Sequence, residues 1–362
     1  DKYWEGFGFA VAIHGDMAFD GVTQDTTEDN VNGAGTVYVY QRSESSNQWE
    51  ALGSPLVAWD GNTEGSFGQA IAVNDTTLVI GAPEDDESTE ITDAGAVYVY
   101  TWSGSAWVQG SKLSAPIRTK DDGYGLSVAM DATHLIVGCP GDDDDTNSIT
   151  DSGKVYFYAL SDLSSVTVLS PEDYAVSESQ TDAHFGESVA IDNGLAVIGA
   201  ASASGDFSYQ GKAYVAKLSN TNDWSALQVF TASDAAQDDS FGVSVAIHDD
   251  LVAVGSFFDD DNASNTGSVY LFQQSGINLT DGSSSDVFTE IAKFGAHDAS
   301  PNAAFGISVA ISDSTIAVGN LLNGEQGENA GAAYLFRRPK APVITISSPL
   351  ADSQVDNDTD VS

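Results

Sequence analysis

A single cysteine, Cys139, excludes any disulfide within the chain, so stability has to come from a packed core. Basic residues are equally scarce. Twelve Lys and Arg stand against 54 Asp and Glu, a net charge of −42. A polyanion of this kind repels nucleic acid and anionic lipid surfaces, which removes both as default partners. No apolar run approaches the roughly 20 residues needed to cross a bilayer as a helix, so direct membrane insertion is not expected. The five histidines are scattered, and with one cysteine they offer no zinc-type ligand cluster. Cys139 itself closes the apolar run Leu135-Ile-Val-Gly-Cys139 and reads as a small core residue, not a nucleophile.

The chain is nonetheless 41% hydrophobic, enough for a sizeable core, and contains 35 glycines, as short strands joined by tight turns require. It is also internally repetitive. Phe67-Gly-Gln-Ala-Ile-Ala-Val73 recurs as Phe185-Gly-Glu-Ser-Val-Ala-Ile191, Phe241-Gly-Val-Ser-Val-Ala-Ile247 and Phe305-Gly-Ile-Ser-Val-Ala-Ile311. Phe7-Gly-Phe-Ala-Val-Ala-Ile13 and Tyr124-Gly-Leu-Ser-Val-Ala-Met130 complete the set. The leading aromatics at 7, 67, 124, 185, 241 and 305 are 60, 57, 61, 56 and 64 residues apart. Such a period defines one structural unit used six times.

Each unit continues with a polar turn and a second apolar run, such as Leu78-Val-Ile-Gly-Ala82. An acidic loop, a third run of the form Gly-x-Val-Tyr-Val-Tyr (Gly95 to Tyr100) and a more polar fourth segment follow, the last often holding Trp (Trp49, Trp107, Trp224). These runs are short, β-branched and aromatic, and Gly, Asn and Asp bound them, which predicts strands. Four strands per unit, repeated radially, predict an all-β fold: a β-propeller of six four-stranded blades, with a seven-bladed ring containing an incomplete blade as the alternative. The aromatic-Gly step and the Gly81-Ala82-Pro83 step resemble those of FG-GAP repeats, the blades of integrin α-subunit propellers and of large bacterial cell-surface adhesins. Gly138-Cys-Pro140 and Gly199-Ala-Ala201 are degenerate forms of the second step. The resemblance implies an extracellular, cell-surface setting. In integrins calcium sits in the loops between strands one and two, on a pattern absent from the short turns here (Asn74 to Thr77, Asp192 to Gly194, His248 to Asp250). Those metal sites are therefore not carried over.

The propeller is expected to span residues 1–341. Residues 342–362 are expected to supply the last outer strand, through Val343-Ile-Thr-Ile-Ser347, and a linker, or else to begin a truncated immunoglobulin-like domain. Either way the chain reads as a module of a larger protein with adjacent domains.

The acid concentrates in the loops between strands two and three, which share a face with the inter-blade connections. Two carboxylates about 6 Å apart repel by roughly 2–3 kcal/mol at an effective dielectric near 20. A run of them calls for full solvation or a cation. Calcium takes six to eight oxygens in irregular geometry, which makes Asp85, Asp86, Asp142, Asp143, Asp144, Asp145, Asp259, Asp260, Asp261 and Asn262 the candidate Ca²⁺ ligands. Asp121, Asp122, Tyr174, Phe207, Tyr209, Phe257 and Phe258 fall on the same face and are candidates for holding a protein or glycan ligand. No Ser stands in a nucleophile elbow and no Cys-His pair is evident, so the chain is not expected to be an enzyme. The functional expectation is an extracellular, calcium-dependent ligand-recognition or adhesion module. A structural spacer and a carbohydrate-active enzyme are the alternatives.

Overall fold

The computed structural model describes residues 6–25, 33–60, 64–144, 148–175, 178, 180–219, 223–261, 263–274, 287–322 and 331–338. Blade one is β1 (Phe7–His14), β2 (Met17–Val22), β3 (Thr36–Arg42) and β4 (Trp49–Ala51). Blade two is β5 (Ala70–Val73), β6 (Thr77–Ala82), β7 (Ala96–Trp102) and β8 (Trp107–Leu113). Blade three is β9 (Ser127–Met130), β10 (His134–Cys139), β11 (Lys154–Ala159) and β12 (Asp162–Leu169). Blade four is β13 (Ser188–Asp192), β14 (Leu195–Ala200), β15 (Lys212–Leu218) and β16 (Trp224–Phe230). Blade five is β17 (Phe241–His248), β18 (Leu251–Ser256), β19 (Ser268–Gln274) and β20 (Phe288–Phe294). Blade six is β21 (Phe305–Ile311), β22 (Thr315–Asn320) and β23 (Ala332–Arg337). Each blade is an antiparallel meander in chain order, and the six together form a β-propeller. Residues 339–362, including the strand expected at Val343 to Ser347, lie outside the described residues.

The first strands contact one another in succession, β1 on β5, β5 on β9, β9 on β13, β13 on β17 and β17 on β21, so they are the innermost. In blades two to five the second and third strands lie between neighbouring sheets and are largely buried on both faces, which is why they read as continuous apolar runs. The hydrophobic clusters accordingly sit between blades. One joins Phe19 and Val37 of blade one to Phe67, Ile80 and Tyr98 of blade two. Phe67, Tyr124, Phe185, Phe241 and Phe305 are all fully buried. Each sets its ring edge-on to the tyrosine at the third position of its own blade's third strand, at 5.3, 5.2, 5.0, 5.3 and 5.4 Å between centroids. Trp107 and Trp224 are buried too, the latter stacked on Phe157 at 4.4 Å.

The signature glycines are the points where blades touch. A Cβ on Gly81, in β6, would lie 2.1 Å from the carbonyl oxygen of Gly125, the glycine of the next blade's aromatic-Gly step. Gly21 and Gly68, Gly138 and Gly186, Gly199 and Gly242, and Gly255 and Gly306 repeat this contact at 2.1, 2.0, 1.9 and 2.0 Å. Where the repeat has Ser, its hydroxyl reinforces the joint: Ser127, Ser188 and Ser244 donate to the carbonyls of Gly186, Gly242 and Gly306 at 2.7–2.8 Å. A backbone zipper completes each junction. Asp121, Gly123 and Tyr124 donate their N–H groups to the carbonyls of Thr92, Asp93 and Ala94, and the same triplet recurs from blade three to four, four to five and five to six.

Replacing Gly81 by Ala is therefore expected to destabilise the protein by about 3 kcal/mol, as forced overpacking against backbone does. Gly104→Ala is the control, because its positive φ of 94° meets open space and costs only about 1 kcal/mol. Chemical denaturation of both variants measures the difference.

Candidate functional site

The structure assigns each residue of the acidic runs a separate task. The first, Asp85, Asp142 or Asp259, is buried beside the third-strand tyrosine. The Tyr98 hydroxyl lies 2.6 Å from Asp85 Oδ2 and 2.5 Å from Oδ1 of Asp60, an inter-blade residue. Tyr270 repeats the arrangement with Asp259 at 2.7 Å and Asp234 at 2.8 Å, and Tyr156 donates to Asp142. The second residue of the run closes the loop. Asp86, Asp143 and Asp260 accept the backbone N–H of Asp93, Asp151 and Asn265 at 3.0, 3.0 and 2.7 Å. Those three donors have positive φ of 55°, 50° and 52°. Asp261 pairs with Lys293, and the backbone of Asp144 bridges to Ile149. Asp145 and Asn262 lie outside the described residues.

The cation in these clusters is a lysine. Lys112 Nζ donates to Asp60 Oδ2 at 2.5 Å and to Asp85 Oδ1 at 2.9 Å. Lys293 Nζ reaches Asp234 at 2.6 Å and Asp259 at 2.8 Å as well as Asp261. Both come from the fourth strand, where they pair across from Tyr98 and Tyr270. In blades three and four that place holds Val168 and Val229, and the lysine instead opens the third strand. Lys154 then bonds Asp142 at 2.5 Å, and Lys212 bonds Glu178 at 2.7 Å. Burial pushes Asp60 and Asp234 up, but the hydrogen bonds from lysine and tyrosine outweigh it and hold both below the ordinary carboxylate range. Burial likewise pulls Lys293 down, yet its three aspartates raise it overall. Asp234, Asp259 and Asp261 place one carboxylate oxygen each within 4.8 Å of one another, and the ammonium stands among them. A second such group, His248, Asp249 and Asp313, lies in the turns of the opposite face, with Arg338 against Asp249 at 3.5 Å.

Sequence reasoning missed all four lysines. The signal was present as Gly-Lys at the start of the third run in blades three and four (Gly153-Lys154, Gly211-Lys212), against Gly-Ala and Gly-Ser in blades two and five. Tyr174 also departs from expectation. It packs against Tyr214 at 4.9 Å and Phe185 at 6.1 Å with its hydroxyl buried, so it belongs to the blade packing and is not free to hold a ligand. Phe207, Tyr209 and Phe258 are exposed as expected, and Phe257 lies tilted against Phe258 with centroids 3.8 Å apart.

A second group of acids gathers elsewhere, with a lysine only at its rim. A cavity of about 490 Å³ opens where the innermost strands of blades two, three and four begin. Its walls include Glu84, Asp93, Asp121, Asp122, Asp151 and Glu187, with His184 at one side. Burial raises Asp93, and Asp86, Asp121 and Glu84 add to it. Burial raises Asp151 as well, helped by Asp143 and opposed by His184. Asp122 is pushed up to about 6 by burial, against the two bonds it accepts from Thr119, and by Asp142 and Asp143. Burial also raises Glu187, whose Oε2 has no hydrogen-bond partner. Asp121 stands at the rim beside Lys120.

The repeated sequence is matched by a family model. The FG-GAP repeat model aligns with residues 53–100, 107–158, 174–216, 224–272 and 288–336, more than half of the chain. The chain belongs to the FG-GAP repeat family. No curated protein matches it. Among the described residues of this FG-GAP propeller, no helix is long and apolar enough to cross a membrane.

Two predictions follow from the way the FG-GAP blades treat their acid. Lys293→Met leaves three close carboxylates without their cation and is expected to cost about 3 kcal/mol. Millimolar Ca²⁺ should restore part of that loss in the variant and leave this cluster unaffected in the parent; thermal melts with and without chelator measure it. The second concerns pH. A folded-state value near 6 means that Asp122 binds its proton more tightly folded than unfolded, so its contribution to stability falls as pH rises from about 4 to 6. Asp122→Asn should raise the melting temperature at pH 7.5, by up to about 3 kcal/mol of stability, and flatten this part of the pH profile. Asp60 and Asp234 act in the opposite sense, their stabilisation vanishing as pH drops below 4.

Proposed function

We propose that this propeller is an extracellular, calcium-dependent recognition module of a larger cell-surface protein, and that its ligand docks over the acid-lined cavity. The observation that carries the reading is the contrast between two populations of carboxylates. Those of the loop runs are neutralised by Lys112, Lys154 and Lys293, so the calcium expected there has its place taken. Asp93, Asp122, Asp151 and Glu187 of the cavity have no lysine bonded to them. Burial and mutual repulsion raise their proton affinity, which is the electrostatic condition a cation relieves. The unpartnered Glu187 Oε2 and the carboxylates of Asp93, Asp122 and Asp151 would be the ligand oxygens, a hard-oxygen set suited to Ca²⁺. A bound divalent ion would leave open positions for hydroxyl or carboxylate groups of a glycan or protein. Phe207, Tyr209 and Phe258, on loops of the same face, add exposed rings for stacking. The proposal assigns the chain no catalytic step.

Calorimetric titration of the chelated protein with Ca²⁺ tests the metal. Binding is expected in the parent and is expected to weaken at least about tenfold in Asp93→Asn/Asp151→Asn, since two charged ligands are lost. No heat and no melting shift would sink the metal assignment. A glycan array and a panel of extracellular-matrix proteins, each in Ca²⁺ and in chelator, test recognition. Retention on neither leaves the propeller as a spacer between neighbouring domains.

A further inference from the structure

The loop between strands two and three of blade four breaks the pattern of its neighbours. Its backbone keeps their frame: the N–H groups of Ala203 and Gly211 donate to the carbonyls of Ala200 and Ala203, as those of Asp142 and Gly153 do to Cys139 and Asp142. The acid run is gone. Ala203, fully buried, stands where blades two, three and five have Asp85, Asp142 and Asp259. The loop carries Asp206-Phe-Ser-Tyr-Gln210 instead, and Gln210 replaces the smaller Ala94, Ser152 and Thr266 ahead of the third-strand glycine. The loop is also clamped. The Gln180 amide accepts from the Ser204 N–H at 2.9 Å and donates to the Ser204 carbonyl at 2.8 Å. Gln210 Oε1 accepts the Phe207 N–H at 2.9 Å, which fixes the orientation of its own amide.

A separate cavity of about 460 Å³ opens between this loop and the connection from blade four to blade five, within the size range of small-molecule sites. It shares no residue with the acid-lined cavity. Three polar groups of its lining have no hydrogen-bond partner among the described residues: Gln210 Nε2, the Thr231 hydroxyl and the Asp206 carboxylate. Gln210 is only 4% exposed, so its amide donor has little water and no protein acceptor, a costly state for a buried polar group. Phe207 lines the same cavity and is 48% exposed. Asp234, on the far wall, is already neutralised by Lys293.

We propose that this cavity is a subsite for one neutral pyranose unit of a glycan. It deepens the recognition reading above, on which it rests, but needs no calcium. A carboxylate only accepts, an amide nitrogen only donates and a hydroxyl does both. The ligand must therefore offer hydroxyl donors and oxygen acceptors close together, and an apolar face for Phe207. A pyranose carries all three on one rigid ring. The clamped loop holds the phenyl ring and the amide in place before the sugar arrives, which lowers the ordering cost of binding. Asp206 and a net charge of −42 select against uronic, sialic and sulfated units.

Saturation-transfer NMR and calorimetry with the methyl glycosides of glucose, galactose, mannose and N-acetylglucosamine, in chelator and in Ca²⁺, test the subsite. At least one glycoside should bind in both media with a Kd on the order of 1 mM, as a ligand of about a dozen heavy atoms allows. Phe207→Ala and Asp206→Asn, both at exposed positions, should each weaken it about three- to tenfold with the melting temperature unchanged. Phe258→Ala, outside this cavity, should leave the affinity as it is. Binding of none of the four, or binding that Phe207→Ala and Asp206→Asn leave intact, overturns the subsite, while the calcium titration of the parent stands or fails separately. Binding seen only in Ca²⁺ and lost in Asp93→Asn/Asp151→Asn would seat the sugar at the acid-lined cavity and overturns it too. Galacturonate binding as tightly as the galactoside, or glucosamine binding more than about tenfold tighter than its N-acetyl form, would mean that charge decides and overturns the neutral class.

Discussion

Everything in this propeller depends on backbone meeting backbone between blades. A glycine Cα in the second strand of one blade rests on the carbonyl of the aromatic-Gly step of the next, a separation that no side chain can enter. That contact sets the spacing of the sheets, and the spacing sets what can lie between them: one layer of Val, Ile, Leu and aromatic rings. The edge-on pairing of Phe67 with Tyr98, and its four repeats, follows from the same distance. Because the zipper from Asp121 to Tyr124 joins the loop of one blade to the entry of the next, the loops are part of the scaffold.

A loop used as scaffold constrains its acid. A tyrosine hydroxyl near the head of each third strand, buried or half-buried, finds a carboxylate acceptor: Asp25 for Tyr38, Asp85 for Tyr98, Asp142 for Tyr156, Glu178 for Tyr214, Asp259 for Tyr270 and Asp298 for Tyr334. Burying that charge requires a cation close by, and in blades two to five a lysine provides it. Asp93, Asp122 and Asp151 of the cavity lie inside this frame with no lysine bonded to them, and burial raises their affinity for a proton. Cys139 fits the same frame. Its thiol donates to the carbonyl of Asp122 at 3.4 Å, as the Ser256 hydroxyl donates to that of Asp239 at 2.8 Å.

The fold was readable because its determinants are periodic and local. The aromatic-Gly step and the Val-Tyr-Val-Tyr run recur in register, and each predicts a strand by composition alone. The site was less readable because its determinants are differences between blades. Asp85, Asp142 and Asp259 look alike as sequence, and all three are acid-run leaders; what decides their chemistry is an ammonium delivered from 27, 12 and 34 residues away. Asp93 and Asp151 stand as isolated acids, yet the blade geometry brings them to one cavity. Tyr174 was misleading for a related reason: a polar neighbourhood in sequence became an aromatic one in space.

The lysines reach equivalent places by two routes, from the fourth strand in blades two and five and from the third in blades three and four. Position by position, the four repeats therefore disagree about where their lysine belongs. A column-wise comparison of repeats would score Lys112 against Val168 as a loss and Lys154 against Ala96 as a gain. In space nothing has been lost. The quantity held constant across blades two to five is a unit of positive charge beside the third-strand tyrosine, and drift between the two strands is free so long as one of them supplies it.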